Sequence, residues 1–269
     1  MSEKERAHFV LIHGACHGAW CWYKLVTLLR SNGYKVTALD MAASGVNPKR
    51  LEELNSFSDY AEPLMAFMAD LPPDDRVILV GHSMGGVTIS LAMEKFPQKI
   101  AVAVFLTAFT PAPHLPIRTM TEESTSQLRS QYNRRLDSTM DIQHGFENGE
   151  DKPPTSLLFG PKFLSTKLYQ LSPPEDLALA TFLVRPIAAF ADANLSEGIA
   201  LTDENYGAVR RVYIISDKDN VIKEDLQRWM IEKNPVEEVE EIYNSDHMVM
   251  LSRPLELCSC LERIAEKFA

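Results

Sequence analysis

The chain alternates short, unbroken apolar runs with longer amphipathic stretches. Phe9 to Ile12 is apolar throughout and reads as a buried strand. A helix is expected over about Trp20 to Ser31, with Asn32-Gly33 as its stop. Tyr34 to Leu39 predicts a second strand ending at Asp40, and Ser44-Gly45 and Asn47-Pro48 mark a loop beyond it. Ser58 to Ala69 predicts a helix capped by Ser58, with Leu64, Met65, Phe67 and Met68 on its apolar face and Pro72-Pro73 after it. Val77 to Val80 reads as a third strand, the apolar stretch from Gly86 to Phe96-Pro97 as a helix, and Ile100 to Leu106 as a fourth strand. Strands apolar on both faces, alternating with helices, imply a parallel sheet covered on both sides. Such sheets bind ligands beyond the carboxyl ends of their strands, where His13-Gly14, Ser83 and Thr107-Ala108 fall.

The alternation breaks from Thr110 to about Tyr206. Pro111, Pro113 and Pro116 open this stretch, and Asn148 to Pro154 is a Gly/Pro/acidic turn region. Leu164 to Leu171 and Pro174 to Val184 read as helical. So long an excursion from the repeating units points to a working part, here a helical cap over the carboxyl edge of the sheet. The alternation then resumes, with a strand at Val212 to Ile215, a helix at Glu224 to Lys233, a strand at Val239 to Tyr243 and a final helix at Pro254 to Phe268. The chain therefore reads as one α/β domain over residues 1–269, with a cap inserted at about 110–206.

Composition narrows the partners. The 269 residues are 45% hydrophobic and 24% charged, ample for a core. The formal net charge of -10 argues against nucleic acid and against an anionic membrane surface. No apolar run is long enough to span a bilayer, and the charged Met1 to Ala7 leads straight into a strand, leaving no room for a signal peptide. Cys16, Cys21, Cys258 and Cys260 form no C-x-x-C pair and read as reduced thiols of a cytoplasmic protein. His13, Cys16, His17 and Cys21 cluster, but no second ligand group accompanies them, so no metal or other cofactor is expected.

Candidate chemistry centres on Gly81-His82-Ser83-Met84-Gly85, a G-x-S-x-G pentapeptide between a strand and a helix. That context makes it a nucleophile elbow, with Ser83 on a strained turn and glycines where backbones nearly touch. A serine hydroxyl needs a neutral imidazole to take its proton and a carboxylate to orient that imidazole. His247 follows the last strand and is the expected base; His82, beside the serine, points elsewhere in the turn. The acid is expected after the strand Val212 to Ile215, where Asp217 and Asp219 both qualify and spacing does not separate them; Asp246 is a third candidate. The oxyanion hole is expected from the backbone N–H groups of Met84 and Ala15, with Gly14 allowing close approach. Asp40, at the end of an earlier strand, reads as structural.

These motifs sit in a chain that resembles the plant methylesterases of the α/β-hydrolase superfamily, a group that includes salicylate methylesterases, polyneuridine aldehyde esterase and hydroxynitrile lyases. The likeness is carried by H-F-V-L-I-H-G-A-C-H-G-A-W-C-W-Y-K-L from His8, V-T-A-L-D-M-A-A-S-G from Val36 and V-I-L-V-G-H-S-M-G-G from Val77. It continues through G-P-K-F-L from Gly160, L-Y-Q-L-S-P-P-E-D-L-A-L-A from Leu168 and D-H-M-V-M-L-S-R-P from Asp246. The resemblance implies a carboxylesterase acting on methyl esters of small apolar acids, and a homodimer. It also implies that the acid is Asp219, at the family's fourth position after the strand. Lyase members carry a lysine directly after the base histidine and often a residue other than glycine at position 14; Met248 and Gly14 stand there, as in esterases. A methylketone synthase branch, which decarboxylates β-keto acids, has replaced its serine and acid, whereas Ser83 and Asp219 are intact. The alternatives are therefore a hydroxynitrile lyase, an esterase whose β-keto acid product then decarboxylates, and a small-molecule receptor on a hydrolase scaffold. Gly14, His82, Met248 and Arg135 are the expected pocket residues. Arg135 stands before Leu136-Asp137 where salicylate esterases often have tryptophan.

Overall fold

The computed structural model describes residues 6–123, 140–190 and 200–269. Six strands form one parallel sheet: β1 (His8–Ile12), β2 (Lys35–Leu39), β3 (Val77–His82), β4 (Ile100–Leu106), β8 (Arg211–Ser216) and β9 (Glu238–Ile242). Their order is β2-β1-β3-β4-β8-β9. The unbroken apolar runs are explained by the packing on each face. Val10, Ile12, Leu79, Phe105, Tyr213 and Ile215 join one core cluster with α2 (Phe57–Asp70) and α3 (Gly85–Lys95). Phe9, Leu11, Ile78, Val80, Val104 and Ile214 join the other, with α1 (Tyr23–Ser31) and the C-terminal helix Pro254–Phe268. Alternate side chains thus enter opposite cores, which is why the central runs Phe9 to Ile12, Val77 to Val80 and Ile100 to Leu106 are apolar throughout, while the edge strands β2 and β9 carry Lys35, Glu238, Glu240 and Glu241.

Two local expectations shift. The N-cap of α2 is Ser56, not Ser58: its hydroxyl accepts from the Asp59 amide while the Asp59 carboxylate accepts from the Ser56 amide. That reciprocal pair satisfies two orphan donors and lets Phe57 be buried in the first turn. The chain between Ala19 and Trp22 is a 3-10 turn leading into α1.

Between β4 and β8 the chain leaves the sheet. The described residues there are not purely helical. They build a small antiparallel sheet from β5 (Gln143–Gly145), β6 (Ser156–Leu158) and β7 (Ile187–Ala188). Helical structure is present at Pro161–Phe163, in a π-turn over Leu164–Leu168, and in α4 (Pro174–Leu183). The expected helix Leu164 to Leu171 stops short, because the Tyr169 amide reaches back to the Leu164 carbonyl and the wide turn ends the run.

Candidate active site

The carboxyl edge of the sheet is where the backbone is most contorted. Cys16, Ala43, Ser83, Thr107 and Asn244, after β1, β2, β3, β4 and β9, all have positive φ. Ser83 has φ of 55° at the junction of β3 with α3. The sharpness of that turn dictates its neighbours. A Cβ on Gly81 would lie 2.7 Å from the Gly85 carbonyl oxygen, and one on Gly85 would lie 2.6 Å from that of Ile12. The Ser83 carbonyl accepts from the amides of Gly86 and Phe109, both at 3.1 Å, which pins the turn from two sides. Ser83 is 7% exposed. Met84 stands at the start of α3, and neither its amide nor that of Ala15 has a hydrogen-bond acceptor among the described residues.

A second set of loops supplies a buried imidazole–carboxylate pair. His247 Nδ1–H donates to Asp219 Oδ2 at 2.6 Å, and both residues are buried. Asp219 is held at each oxygen. Oδ2 also accepts from the Thr107 hydroxyl at 2.5 Å, and Oδ1 accepts from the amides of Val221 and Ile222 at 2.6 and 2.9 Å. With Nδ1 committed as donor, the lone pair of the neutral ring lies on Nε2, the tautomer a general base needs. Asp217 faces elsewhere: it accepts from the Ser245 amide at 3.3 Å and pairs with Lys218 at 3.1 Å.

Three further histidines surround this pair, and each is held neutral. His82 Nε2–H donates to the His247 carbonyl at 2.8 Å, and the ring centroids lie 4.6 Å apart. Burial, then the neighbouring His247, pushes the His82 pKa well below its ordinary value. Its Nδ1 is buried without a partner, and a Cβ on Gly14 would come within 3.1 Å of it and 2.8 Å of Ser83 Cβ. His13 donates from Nδ1 to the Gly14 carbonyl and accepts the Met41 amide at Nε2; burial lowers its pKa. His17 donates from Nδ1 to the Ala15 carbonyl at 2.8 Å and accepts the Tyr169 hydroxyl at Nε2 at 2.7 Å, and burial lowers its pKa to about 3.

The remaining expected residues fall as follows. Met248 is fully buried, and its amide donates to Asp246 Oδ1 at 3.0 Å. Asp246 turns from the imidazole, its Oδ2 accepting from the Leu171 amide and the Ser172 hydroxyl, both at 2.9 Å. Asp40 accepts from the amides of Ala19 and Val46 and ties two loops together. Arg135 lies outside the described residues. A cleft of about 430 Å³ opens beside the loop that carries Asp219; it is lined by Gln170, Leu171, Asp219 and Lys223 but not by Ser83 or His247. Sequence reasoning placed Thr107 at this edge but gave it no role; its hydroxyl meets Asp219 where the chain kinks at φ of 36° directly after β4. It also missed the His17–Tyr169 contact; the aromatic and imidazole types were visible, but their pairing was not.

A parallel α/β sheet with a serine on a left-handed strand-to-helix turn, and a buried His–Asp pair at the same edge, defines a hydrolase of the α/β type. Residues 9–259 match the model of the Alpha/beta hydrolase family, and the chain belongs to that family. It is 56% identical over 267 residues to methyl jasmonate esterase 1 of Vitis vinifera, covering 99% of this chain and 100% of that protein. It is 50% identical over 267 residues to salicylic acid-binding protein 2 of Nicotiana tabacum, covering 98% and 99%. A solved structure of a tomato methylketone synthase I variant, complexed with beta-ketoheptanoate, superposes with a TM-score of 0.91 at 47% identity, covering 100% of both chains.

Proposed function

We propose that the protein is a carboxylesterase that hydrolyses methyl esters of small, mostly apolar acids. Ser83 is the nucleophile, His247 the general base, Asp219 its orienting carboxylate, and the amides of Ala15 and Met84 the oxyanion hole. The observation that carries the reading is the commitment of His247 Nδ1 to Asp219 at a sheet edge whose serine sits at φ of 55°. Identity of 56% with a protein named a methyl jasmonate esterase supports the ester class.

In the proposed reaction His247 Nε2 takes the Ser83 proton as Oγ attacks the ester carbonyl, and the oxyanion is held by the two free amides. The imidazolium then gives its proton to the departing methoxide, releasing methanol. Water, deprotonated by the same Nε2, attacks the acyl-enzyme; the proton returns to Ser83 Oγ as the acid leaves. His13, His17 and His82 stay neutral throughout, so they do not raise the cost of the transient charge on His247. The insertion at about 110–206 acts as the cap of a single domain and selects the acid, with Gly14, His82, Met248 and Arg135 as the pocket residues expected beside it. The half-buried Met84, Phe109, Leu157 and Phe159 supply apolar surface suited to such an acyl group.

A second reading, in which a β-keto acid product decarboxylates after release, is favoured by the likeness to a methylketone synthase structure. Among the described residues no helix is long and apolar enough to cross a membrane. A cytoplasmic setting, a homodimeric assembly and the lack of a nucleic-acid partner belong to the same proposal, and four buried free thiols and the net charge of -10 are suited to it. The test is a turnover panel of methyl esters, with mandelonitrile included and products identified by mass spectrometry. Ser83→Ala is expected to lower ester turnover by several orders of magnitude. Parent-like turnover by that variant would sink the mechanism, and cyanide release above background would favour the lyase.

A further inference from the structure

Four consecutive residues after the π-turn, Tyr169 to Ser172, together grip three different parts of the proposed catalytic edge. The Tyr169 hydroxyl donates to His17 Nε2 at 2.7 Å, and the two rings stack at 5.9 Å between centroids. His17 in turn donates to the carbonyl of Ala15, the residue whose amide is assigned to the oxyanion. The Gln170 side chain donates from Nε2 to the Lys218 carbonyl at 2.7 Å, one residue before Asp219. The Leu171 amide and the Ser172 hydroxyl both donate to Asp246 Oδ2, one residue before His247. The oxyanion loop, the acid loop and the base loop are thus fastened, through single hydrogen bonds or one intermediate ring, to one short run of chain.

We propose that Tyr169, Gln170 and Ser172 are positioning residues that form a brace, holding these three loops in register for the reaction; this rests on the esterase reading above. None of them is assigned a contact with substrate. The brace lies in the insertion between β4 and β8, so the segment proposed to select the acid also sets the geometry that processes it. Its construction suits the task. The Tyr169 ring is 2% exposed and cannot swing away without opening the core, and its hydroxyl is the partner of His17 Nε2. Asp246 is fully buried, and among the described residues no cation pairs with it, so the Leu171 and Ser172 donors, with the Met248 amide, stand in for water around the carboxylate. The acid and base loops are also stitched to each other, since the Lys218 amide donates to the Ser245 carbonyl and the Ser216 hydroxyl reaches the carbonyls of Ser245 and Asp246. The oxyanion loop belongs to a different strand. Its links to the insertion among the described residues include the Tyr169–His17 bond, a bond from the Arg185 amide to the Cys16 carbonyl, and a long one from the Cys16 thiol to the Leu157 carbonyl.

The experiment compares the parent with Tyr169→Phe and with the double variant Gln170→Ala/Ser172→Ala. Tyr169→Phe keeps the stacked ring and removes the hydroxyl. It is expected to lower kcat on a methyl ester about tenfold with KM within twofold, and to weaken a trifluoromethyl ketone inhibitor in parallel with kcat. The pH profile of kcat/KM should be unchanged. The double variant is expected to lower kcat about tenfold with KM within twofold and to alter that profile, because it loosens the base and acid loops. Kinetic constants and profile equal to the parent in both variants, with only a lower melting temperature, would overturn the brace and leave the stretch structural. The ¹⁵N titration of the His247 ring separates this outcome from failure of the esterase reading. If the parent hydrolyses no ester but the double variant shifts that titration, the brace stands and the esterase reading falls. If neither activity nor the titration responds, the brace falls.

Discussion

Asp219→Asn is the perturbation whose outcome can be worked furthest from the geometry. The two oxygens of Asp219 are not equivalent. Oδ1 accepts two backbone amides, from Val221 and Ile222, whereas Oδ2 faces the His247 ring and the Thr107 hydroxyl. An asparagine would keep its oxygen on the amide side, since turning it would set an NH₂ against two buried N–H donors at a cost of several kcal/mol. Its nitrogen would then replace Oδ2, 2.6 Å from His247 Nδ1. Thr107 can rotate its hydroxyl to accept one N–H, and the other must donate to Nδ1. The imidazole is thereby driven to carry its proton on Nε2, where it cannot take one from Ser83. Every polar group remains satisfied, so stability should change by no more than about 1 kcal/mol. The wrong tautomer should cost about 10⁴ in kcat, on the order of 5 kcal/mol of transition-state stabilisation. The assay is steady-state hydrolysis of a methyl ester, paired with a thermal melt and with Asp217→Asn as comparator. Asp217 has only a 3.3 Å bond to the Ser245 amide and a pair with the exposed Lys218, so its variant should stay within about threefold of the parent. An Asp219→Asn protein that keeps a tenth of the activity, or an Asp217→Asn protein that loses as much, would refute the assignment.

Two further outcomes follow from the same packing. Gly14→Ala would place a methyl group 2.8 Å from Ser83 Cβ and 3.1 Å from His82 Nδ1, forcing the oxyanion loop and the elbow apart. It should cost about 1–3 kcal/mol in stability and at least about tenfold in kcat, read by melts and kinetics; parent-like values in both would refute the close packing. The buried neutral histidines predict acid sensitivity. Their folded pKa values lie below the unfolded 6.5: His8 falls to about 4, His17 to about 3, and His13 and His82 are lowered by burial. The unfolded chain therefore binds protons first, and the stability is present above pH 6.5 and lost as pH falls. For His17 alone the loss between pH 6.5 and 4.5 is on the order of 2 kcal/mol. Urea midpoints measured across that window should fall steeply in the parent and less steeply in His17→Gln; a flat parent profile would contradict the burial argument.

What could be read in the chain, and what could not, divides by the range of the interaction. The inner strands of the large sheet announce themselves because both faces are covered, which leaves Val77 to Val80 and Ile100 to Leu106 without a polar residue. The elbow is legible for the same local reason: only glycine fits where Gly81 meets the Gly85 backbone. The small sheet was hidden because its strands are two or three residues long and pair at a distance, Leu157 with Ile187 and Gly145 with Ser156. No period can be detected in so few residues. Ser56 rather than Ser58 caps α2 because capping is a reciprocal act, decided by where the Asp59 carboxylate can return.

The carboxyl edge of the sheet follows the same division. His247 could be picked from the sequence, because a histidine just past the last strand must fall at the carboxyl edge. Asp217 and Asp219 could not be separated by spacing, since both occupy the same loop. Their separation depends on Thr107, more than a hundred residues earlier, and on the amides of Val221 and Ile222 folding back over one carboxylate. The resemblance implied Asp219 by analogy, and the hydrogen bonds give that expectation physical support: of the two carboxylates in this loop, Asp219 has one oxygen held by two backbone amides and the other shared by the Thr107 hydroxyl and the His247 ring. The bonds from Tyr169 to His17 and from Leu171 to Asp246 span 152 and 75 residues. Each partner looks ordinary in its own neighbourhood. Their significance lies in convergence, because four neighbouring positions meet three loops that the sheet topology had already brought to one edge. A motif can therefore locate the serine and its strand-to-helix turn in this fold, while the groups proposed to hold the surrounding loops in register emerge only once the insertion is laid against the sheet.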